Sequence, residues 1–255
     1  IVVIGLILLI FTLPIVLKSF FLDYYNNNAH AALTSGKLTE EEVSEALRLA
    51  WIIGNTSNLI LYPLLSIAVA GILRVIKLLV YGDVPFFKYD FGVGVKDNIK
   101  QALLLGLFIA LFELLFNFII VSFPDNSVIK IACYILFLLV VLPGLLVGFF
   151  YSSIYKNKIF SVIKDSYFIY LKGSWRILIL MVIGIGPFLA LEIALNFIWV
   201  KQLIYLVLIF FLLPLLLLAS FMVINNVFDE AINKQHFPEI YRKGLYVIKE
   251  EKQDE

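Results

Sequence analysis

Residues 131–154 read IACYILFLLVVLPGLLVGFFYSSI, a stretch without one charged side chain. A helix needs about 20 apolar residues to cross a hydrocarbon core, so this stretch is long enough by itself. The quoted stretch belongs to a run over roughly 130–154, and comparable apolar runs lie at roughly 1–21, 51–80, 101–121, 176–198 and 204–227. Lipid offers no partners to backbone N–H and C=O groups, so each run must be helical. The other spanning solution, a β-barrel, needs strands of about ten residues that alternate in polarity, and nothing here alternates. The expected fold class is all-α: a polytopic integral membrane helix bundle with six transmembrane spans.

Composition agrees. The 255 residues are 62% hydrophobic and only 15% charged, with a mean hydropathy of +0.99, whereas soluble domains carry roughly 25% charged residues. A net charge of +1 provides no bulk field for nucleic acid, which is not expected as a partner. Cys133 is the single cysteine and lies inside an apolar run, so no intramolecular disulfide can form. The run 1–17 has the length of a signal-peptide core, but it lacks a small-residue cleavage pattern and leads into Lys18, Ser19, Phe20 and Phe21. It reads as a retained first span.

Basic residues set the expected orientation. The loop after the second span carries Arg74, Lys77, Lys88, Lys96 and Lys100, and the loop after the fourth carries Lys156, Lys158, Lys164, Lys172 and Arg176. The two intervening turns carry only Lys130 and Lys201. Basic short loops stay in the cytoplasm, which puts both termini there as well. Trp51, Trp175 and Trp199 fall at span ends, where indoles favour the headgroup layer.

Within the six-span domain 1–228, three segments stand apart, and a tail follows. Residues 22–50 read as an extracytoplasmic helical hairpin. Gly36 ends the first arm, Thr39 is the N-cap of the second, Glu42 completes a capping box, and Leu38 and Val43 occupy staple positions. Residues 81–100 and 155–175 read as cytoplasmic amphipathic loops with aromatics toward the acyl boundary and lysines toward headgroups. The tail 229–255 reads as a short cytoplasmic amphipathic helix with a disordered end.

An internal duplication is visible in the third and fifth spans. Glu113 precedes Asn117 by four residues, Glu192 precedes Asn196 by four, and Phe-Ile follows each asparagine. The even spans each carry a proline before leucines: Pro63, Pro143 and Pro214. The pattern predicts parallel repeats of a helix hairpin. Glu113 and Glu192 are the only acids deep in the runs, and their cost in lipid demands an interior partner. Lys18 is the expected counter-charge. Two carboxyls at one depth could bind a cation or relay a proton, or they could serve as hydrogen-bonding links between helices. His30 and His236 fall on opposite sides of the membrane, and no P-loop, G-x-S-x-G, H-E-x-x-H or Cys/His cluster is found. No enzyme activity, metal or cofactor is therefore expected.

One segment carries a family likeness. Residues 70–83 read AGILRVIKLLVYGD and residues 90–101 read DFGVGVKDNIKQ. The pattern resembles the YesL-like family of bacterial membrane proteins, a domain family of unknown function, with Asp90, Phe91, Gly94, Lys96, Asn98, Lys100 and Gln101 at matching positions. Leu13-Pro14-Ile15-Val16 is similar to an early family motif, while Gly92 departs from the usual aromatic. The resemblance implies a bacterial cell membrane and a role beside carbohydrate ABC importers; it transfers no ligand or catalytic residue. The chain lacks the coupling loop of a permease. The expectation is a non-enzymatic accessory subunit or assembly partner of such an importer, meeting lipid and the importer's permease subunits, with Asp90, Phe91, Lys96, Asn98, Lys100 and Gln101 as the partner surface. An autonomous small transporter using the Glu/Asn layer and a membrane sensor are the rivals.

Overall fold

The computed structural model describes residues 1–123, 126–194 and 197–243, without the side chains of 192 and 193. Every regular element among them is helical, and six helical segments are long and apolar enough to cross a membrane. They are α1 (Val2–Thr34), α2 (Glu40–Val80), α3 (Phe87–Ser122), a compound fourth span, α6 (Ile159–Ala194) and a compound sixth span. The fourth joins α4 (Ser127–Leu136) to α5 (Leu142–Ile154) through a π-helical turn at Phe137–Val141. The sixth joins α7 (Ile198–Val207) to α8 (Leu213–Phe228) through a π-helical turn at Leu208–Leu212, and continues through a third such turn, Asp229–Asn233, into α9 (Lys234–His236). Large apolar side chains such as Ile60, Phe118, Val182 and Leu203 stand more than half exposed along these helices. A surface of that kind belongs in lipid, and the protein is a multi-pass membrane protein.

The helices outrun the bilayer at one end. α2 has 41 residues, about 60 Å of helix against a core of about 30 Å. Its first turns pair with the last turns of α1, forming the expected hairpin. Thr39 Oγ1 accepts from the Glu42 amide at 3.3 Å and the Glu42 carboxylate accepts from the Thr39 amide at 2.8 Å, so both halves of the capping box form. α1 stops at Gly36, whose φ of +70° is the left-handed backbone glycine adopts freely. The Lys37 amide then reaches the Ala32 carbonyl and the Gly36 amide the Leu33 carbonyl, the paired bonds of a Schellman stop. Gly82, φ +80°, ends α2 with the same pair of bonds from Asp83 and Gly82. Val43 is buried at its staple position. The bundle thus has a hairpin end, at Gly36, and a loop end, at Gly82.

The α2–α3 hairpin is the tightest packing in the bundle. Small or short side chains recur every fourth residue on α3, at Gly94, Asn98, Ala102, Gly106 and Ala110, and all are buried. A methyl group on Gly94 would meet Arg74 Cβ, the Ala70 carbonyl and Gly71 Cα; one on Gly106 would meet Ser66, the Tyr62 carbonyl and Pro63. Spans lack a hydrophobic drive toward each other, so close backbone approach through such residues is what holds them.

Two segments read as membrane-surface loops are built differently. Residues 87–100 are the opening turns of α3, with Asp90 accepting from the Phe86 amide at 2.7 Å. Residues 159–172 are the first arm of α6, which bends at Gly173. In that arm Val162, Ser166, Ile169 and Tyr170 are buried while Phe160, Phe168 and Leu171 are exposed. One face therefore packs into the bundle rather than lying along the bilayer. The reason is a backbone debt: Pro143 has no N–H and its ring excludes the usual bond to the carbonyl of Leu139. The Tyr170 hydroxyl donates to that carbonyl and the Tyr167 hydroxyl to the Val141 carbonyl at 3.2 Å. The Leu139 carbonyl, freed inside a span, must find another donor, and Tyr170 supplies it.

The tail also differs from expectation. Instead of a separate amphipathic helix after Asp229, the sixth span runs on to His236, with Asp229 and Asn233 fully inside the fold. The expected disordered end falls on residues 244–255, outside the described residues. The fourth and sixth spans share one feature: in each, a π-helical turn ends two residues before the proline, Pro143 and Pro214. Pro63 lies in continuous α-helix.

Candidate functional site

Three helices bring polar side chains together near the hairpin end. α1 contributes Lys18, α2 contributes Asn55, Asn58 and Tyr62, and α3 contributes Glu113 and Asn117. Lys18 Nζ donates to Asn58 Oδ1, and to the Gly54 carbonyl at 3.3 Å. Asn58 Nδ2 donates to Glu113 Oε2 at 2.9 Å, and Tyr62 lies beside the same carboxylate. One turn toward the hairpin, Asn117 Nδ2 donates to Asn55 Oδ1 at 2.7 Å, and Asn55 Nδ2 to the Trp51 carbonyl at 2.8 Å. Asn58 thus bridges ammonium and carboxylate, using its carbonyl for one and its amide for the other.

Lys18 is the expected partner of Glu113, and the structure joins them through Asn58 rather than by direct contact. Asn117 lies beside the same site. The second half of the anticipated layer, Glu192 and Asn196, falls where the Glu192 side chain and all of Asn196 lie outside the described residues. Asn55, Asn58 and Tyr62 are not among the residues expected from the sequence, where amides stand out only beside an acid, as Asn117 and Asn196 do. Their signal is present: Trp51, Asn55, Asn58 and Tyr62 follow at four, three and four, one polar stripe on an otherwise apolar helix.

This cluster borders a cavity of about 370 Å³ that runs toward the hairpin, lined also by Asn26, His30 and Trp51. That volume lies in the range of small-molecule sites. Gly54 keeps the wall close, since a methyl group there would collide with Leu22 at 2.7 Å. Lys201 and Asp23 pair at 2.7 Å and tie α7 to α1 at the same end, while the Phe20 and Trp199 rings meet at 4.6 Å.

The six residues of the expected partner surface separate into two groups. Lys96 and Lys100 are exposed. Asp90 and Asn98 are buried against α2, with Asn98 Nδ2 bonded to the Gly94 carbonyl at 3.2 Å. Phe91 packs its ring over Gly71, and Gln101 donates to the Asn157 carbonyl at 3.3 Å. Asp90 and Asn98 are therefore turned into the fold, Phe91 and Gln101 are half-buried, and Lys96 and Lys100 stand open at the surface with Phe86 and Tyr89.

A second polar cluster occupies the loop end. Asp229 accepts from Asn233 Nδ2 at 2.7 Å and from the Arg242 amide at 3.1 Å, and the Tyr155 hydroxyl donates to Asn233 Oδ1. Burial, with Tyr81, Tyr151 and Asp229 adding to it, pushes the Tyr155 hydroxyl above the ordinary tyrosine range, so it remains a donor. Tyr81 reaches Asn225 at 3.2 Å, and Tyr151 is held between Asp165 and Asn157, each at 2.8 Å. Among the described residues, no His, Cys, Asp or Glu side chains gather in a group that could hold a metal ion. No family model, curated protein or solved structure matches the chain.

Proposed function

We propose that this protein binds a small hydroxyl-rich solute in the hairpin-end cavity and serves carbohydrate uptake as a non-enzymatic membrane component. The observation that carries the reading is the Lys18–Asn58–Glu113 chain on the wall of an open cavity. Charged groups inside spans are costly and generally mark a solute or ion pathway. Here an ammonium, a carboxylate and several amides offer donors and acceptors in alternation, and Trp51 adds an apolar ring. A sugar presents the complement: hydroxyls that donate and accept, and C–H faces that pack on an indole.

The ten-to-two distribution of basic residues supports an orientation with the hairpin and its cavity outside the cell and both termini in the cytoplasm. The loop end would then face the cytoplasm, where Phe86, Tyr89, Lys96 and Lys100 are free to meet the permease subunits of a carbohydrate importer, in line with the YesL-like resemblance. The experiment is thermal stability of the full chain in detergent against neutral and uronic-acid mono- and disaccharides. A sugar that raises the Tm of the wild type, and leaves Asn58→Ala and Lys18→Met unmoved, is the expected result. Equal shifts in wild type and both variants, or no shift with any sugar, would remove the cavity from this role.

A further inference from the structure

Four cations converge at the loop end. Lys77 Nζ lies 5.8 Å from the centre of the Tyr81 ring, and Lys243 Nζ lies 5.2 Å from the same ring. Arg74, Lys243 and Lys156 are the charges that act on the Lys77 ammonium. Acceptors for them are scarce among the described residues. Lys77 donates to the Ser153 carbonyl at 3.2 Å, in the last turn of α5, which accounts for one of its protons. Lys156 meets Asp97 at 3.4 Å with its side chain 82% exposed, a surface pair of little weight. Asp229 is engaged by Asn233 and the Arg242 amide. Arg74 Nε is buried and has no acceptor among the described residues, and the Arg74 side chain backs onto Gly94 of α3.

Helix ends explain only part of this. A cation near a helix C-terminus complements the dipole, and Lys77 sits one turn from the end of α2 beside the end of α5. That does not require a second and third cation around the same ammonium, nor a guanidinium N–H left without an acceptor. A buried donor without a partner costs about 1–3 kcal/mol, and like charges at close range repel. An anion with several acceptor oxygens would relieve both at once.

We propose that Arg74, Lys77, Lys156 and Lys243 form a binding site for a phosphate-bearing anion. The shared chemistry is a phosphate with its oxygens between Lys77 and Lys243 and one oxygen toward Arg74 Nε. Its source is either the headgroup of an anionic lipid, which basic pockets between spans accept, or a phosphate from solution.

The test uses the full chain in nanodiscs of phosphatidylcholine, with and without phosphatidylglycerol, reading lipid retained by native mass spectrometry and the Tm. The variants are Lys77→Gln with Lys243→Gln, Lys243→Ala alone, and Lys96→Gln with Lys100→Gln as a control of equal charge on the exposed turns of α3. Lys77→Gln keeps a donor for the Ser153 carbonyl, and Lys243→Ala alters a side chain exposed at the surface, so the series does not depend on one variant folding. A preference for phosphatidylglycerol of about tenfold, lost in the first two variants and kept in the control, assigns the site to lipid. Absence of that preference, with inorganic phosphate raising the Tm in phosphatidylcholine alone and failing to do so in the first two variants, assigns it to a soluble anion. Equal loss in the control, or no response to either probe, overturns the proposal.

Discussion

The two polar clusters of this bundle are made from similar residue types and are arranged in opposite ways. At the loop end, Asp229, Asn233 and Tyr155 are buried and spend their capacity on one another and on the Arg242 amide. At the hairpin end, Lys18, Asn58 and Glu113 are also linked, but they stand on the wall of a cavity of about 370 Å³. A closed network fixes the approach of helices, since opening it strands buried donors and acceptors. A network beside a cavity retains lone pairs and protons for something that enters. On the proposed reading, the comparison separates structural polarity from the kind that binds.

The predictions attack that distinction, and the largest effect is expected where neither cluster is involved. Gly106→Leu should destabilise the protein by about 3 kcal/mol or more or prevent folding, because overpacking a close contact forces backbones apart. The adjacent backbone here is at Tyr62 and Pro63, at 2.8 and 2.9 Å from the added carbon. Chemical denaturation in detergent measures it, and a stable variant would contradict the close approach of α2 and α3. Next comes the closed cluster: Asp229→Ala should cost about 1–3 kcal/mol by leaving Asn233 and the Arg242 amide without an acceptor. A smaller and local loss, about 1 kcal/mol, is expected for Thr39→Ala, read as faster hydrogen exchange in residues 39–43 with the spans unchanged. Glu113→Gln should change stability least, by roughly 0.6 kcal/mol, while removing solute-dependent stabilisation. If Glu113→Gln proves as damaging as Asp229→Ala, the two clusters do the same job and the comparison collapses.

The sequence was most legible where local chemistry decides the outcome. Thr39 and Glu42 define a helix start within four residues, and Gly36 defines the stop before it, so the hairpin could be read directly. Glu113 and Lys18 were legible because a charge in lipid requires an opposite partner. The bridging role of Asn58 was not, because it depends on how α1, α2 and α3 rotate about their axes, and a neutral amide raises no electrostatic alarm. The arm 159–172 was misread for a related reason. Its aromatics and lysines fit a surface segment, but the carbonyl freed by Pro143, that of Leu139, lies 31 residues upstream of Tyr170, and only the tertiary fold reveals that Tyr170 satisfies it. Asp90 and Asn98 belong to a motif that looks like a display surface, yet the every-fourth spacing of Gly94, Asn98, Ala102 and Gly106 is the signature of packing.

Solvent access to the hairpin-end cavity is the claim on which the functional account turns. It can be measured with single cysteines in a background lacking Cys133, labelled in sealed vesicles by a membrane-impermeant thiol reagent. Asn55→Cys, on the cavity wall, should react from the same side as Ser44→Cys in the exposed hairpin, while Ser220→Cys in the middle of α8 should not react from either side. Labelling at Ser44→Cys without labelling at Asn55→Cys would show the cavity closed to water, and would return Lys18, Asn58 and Glu113 to the role of links between helices.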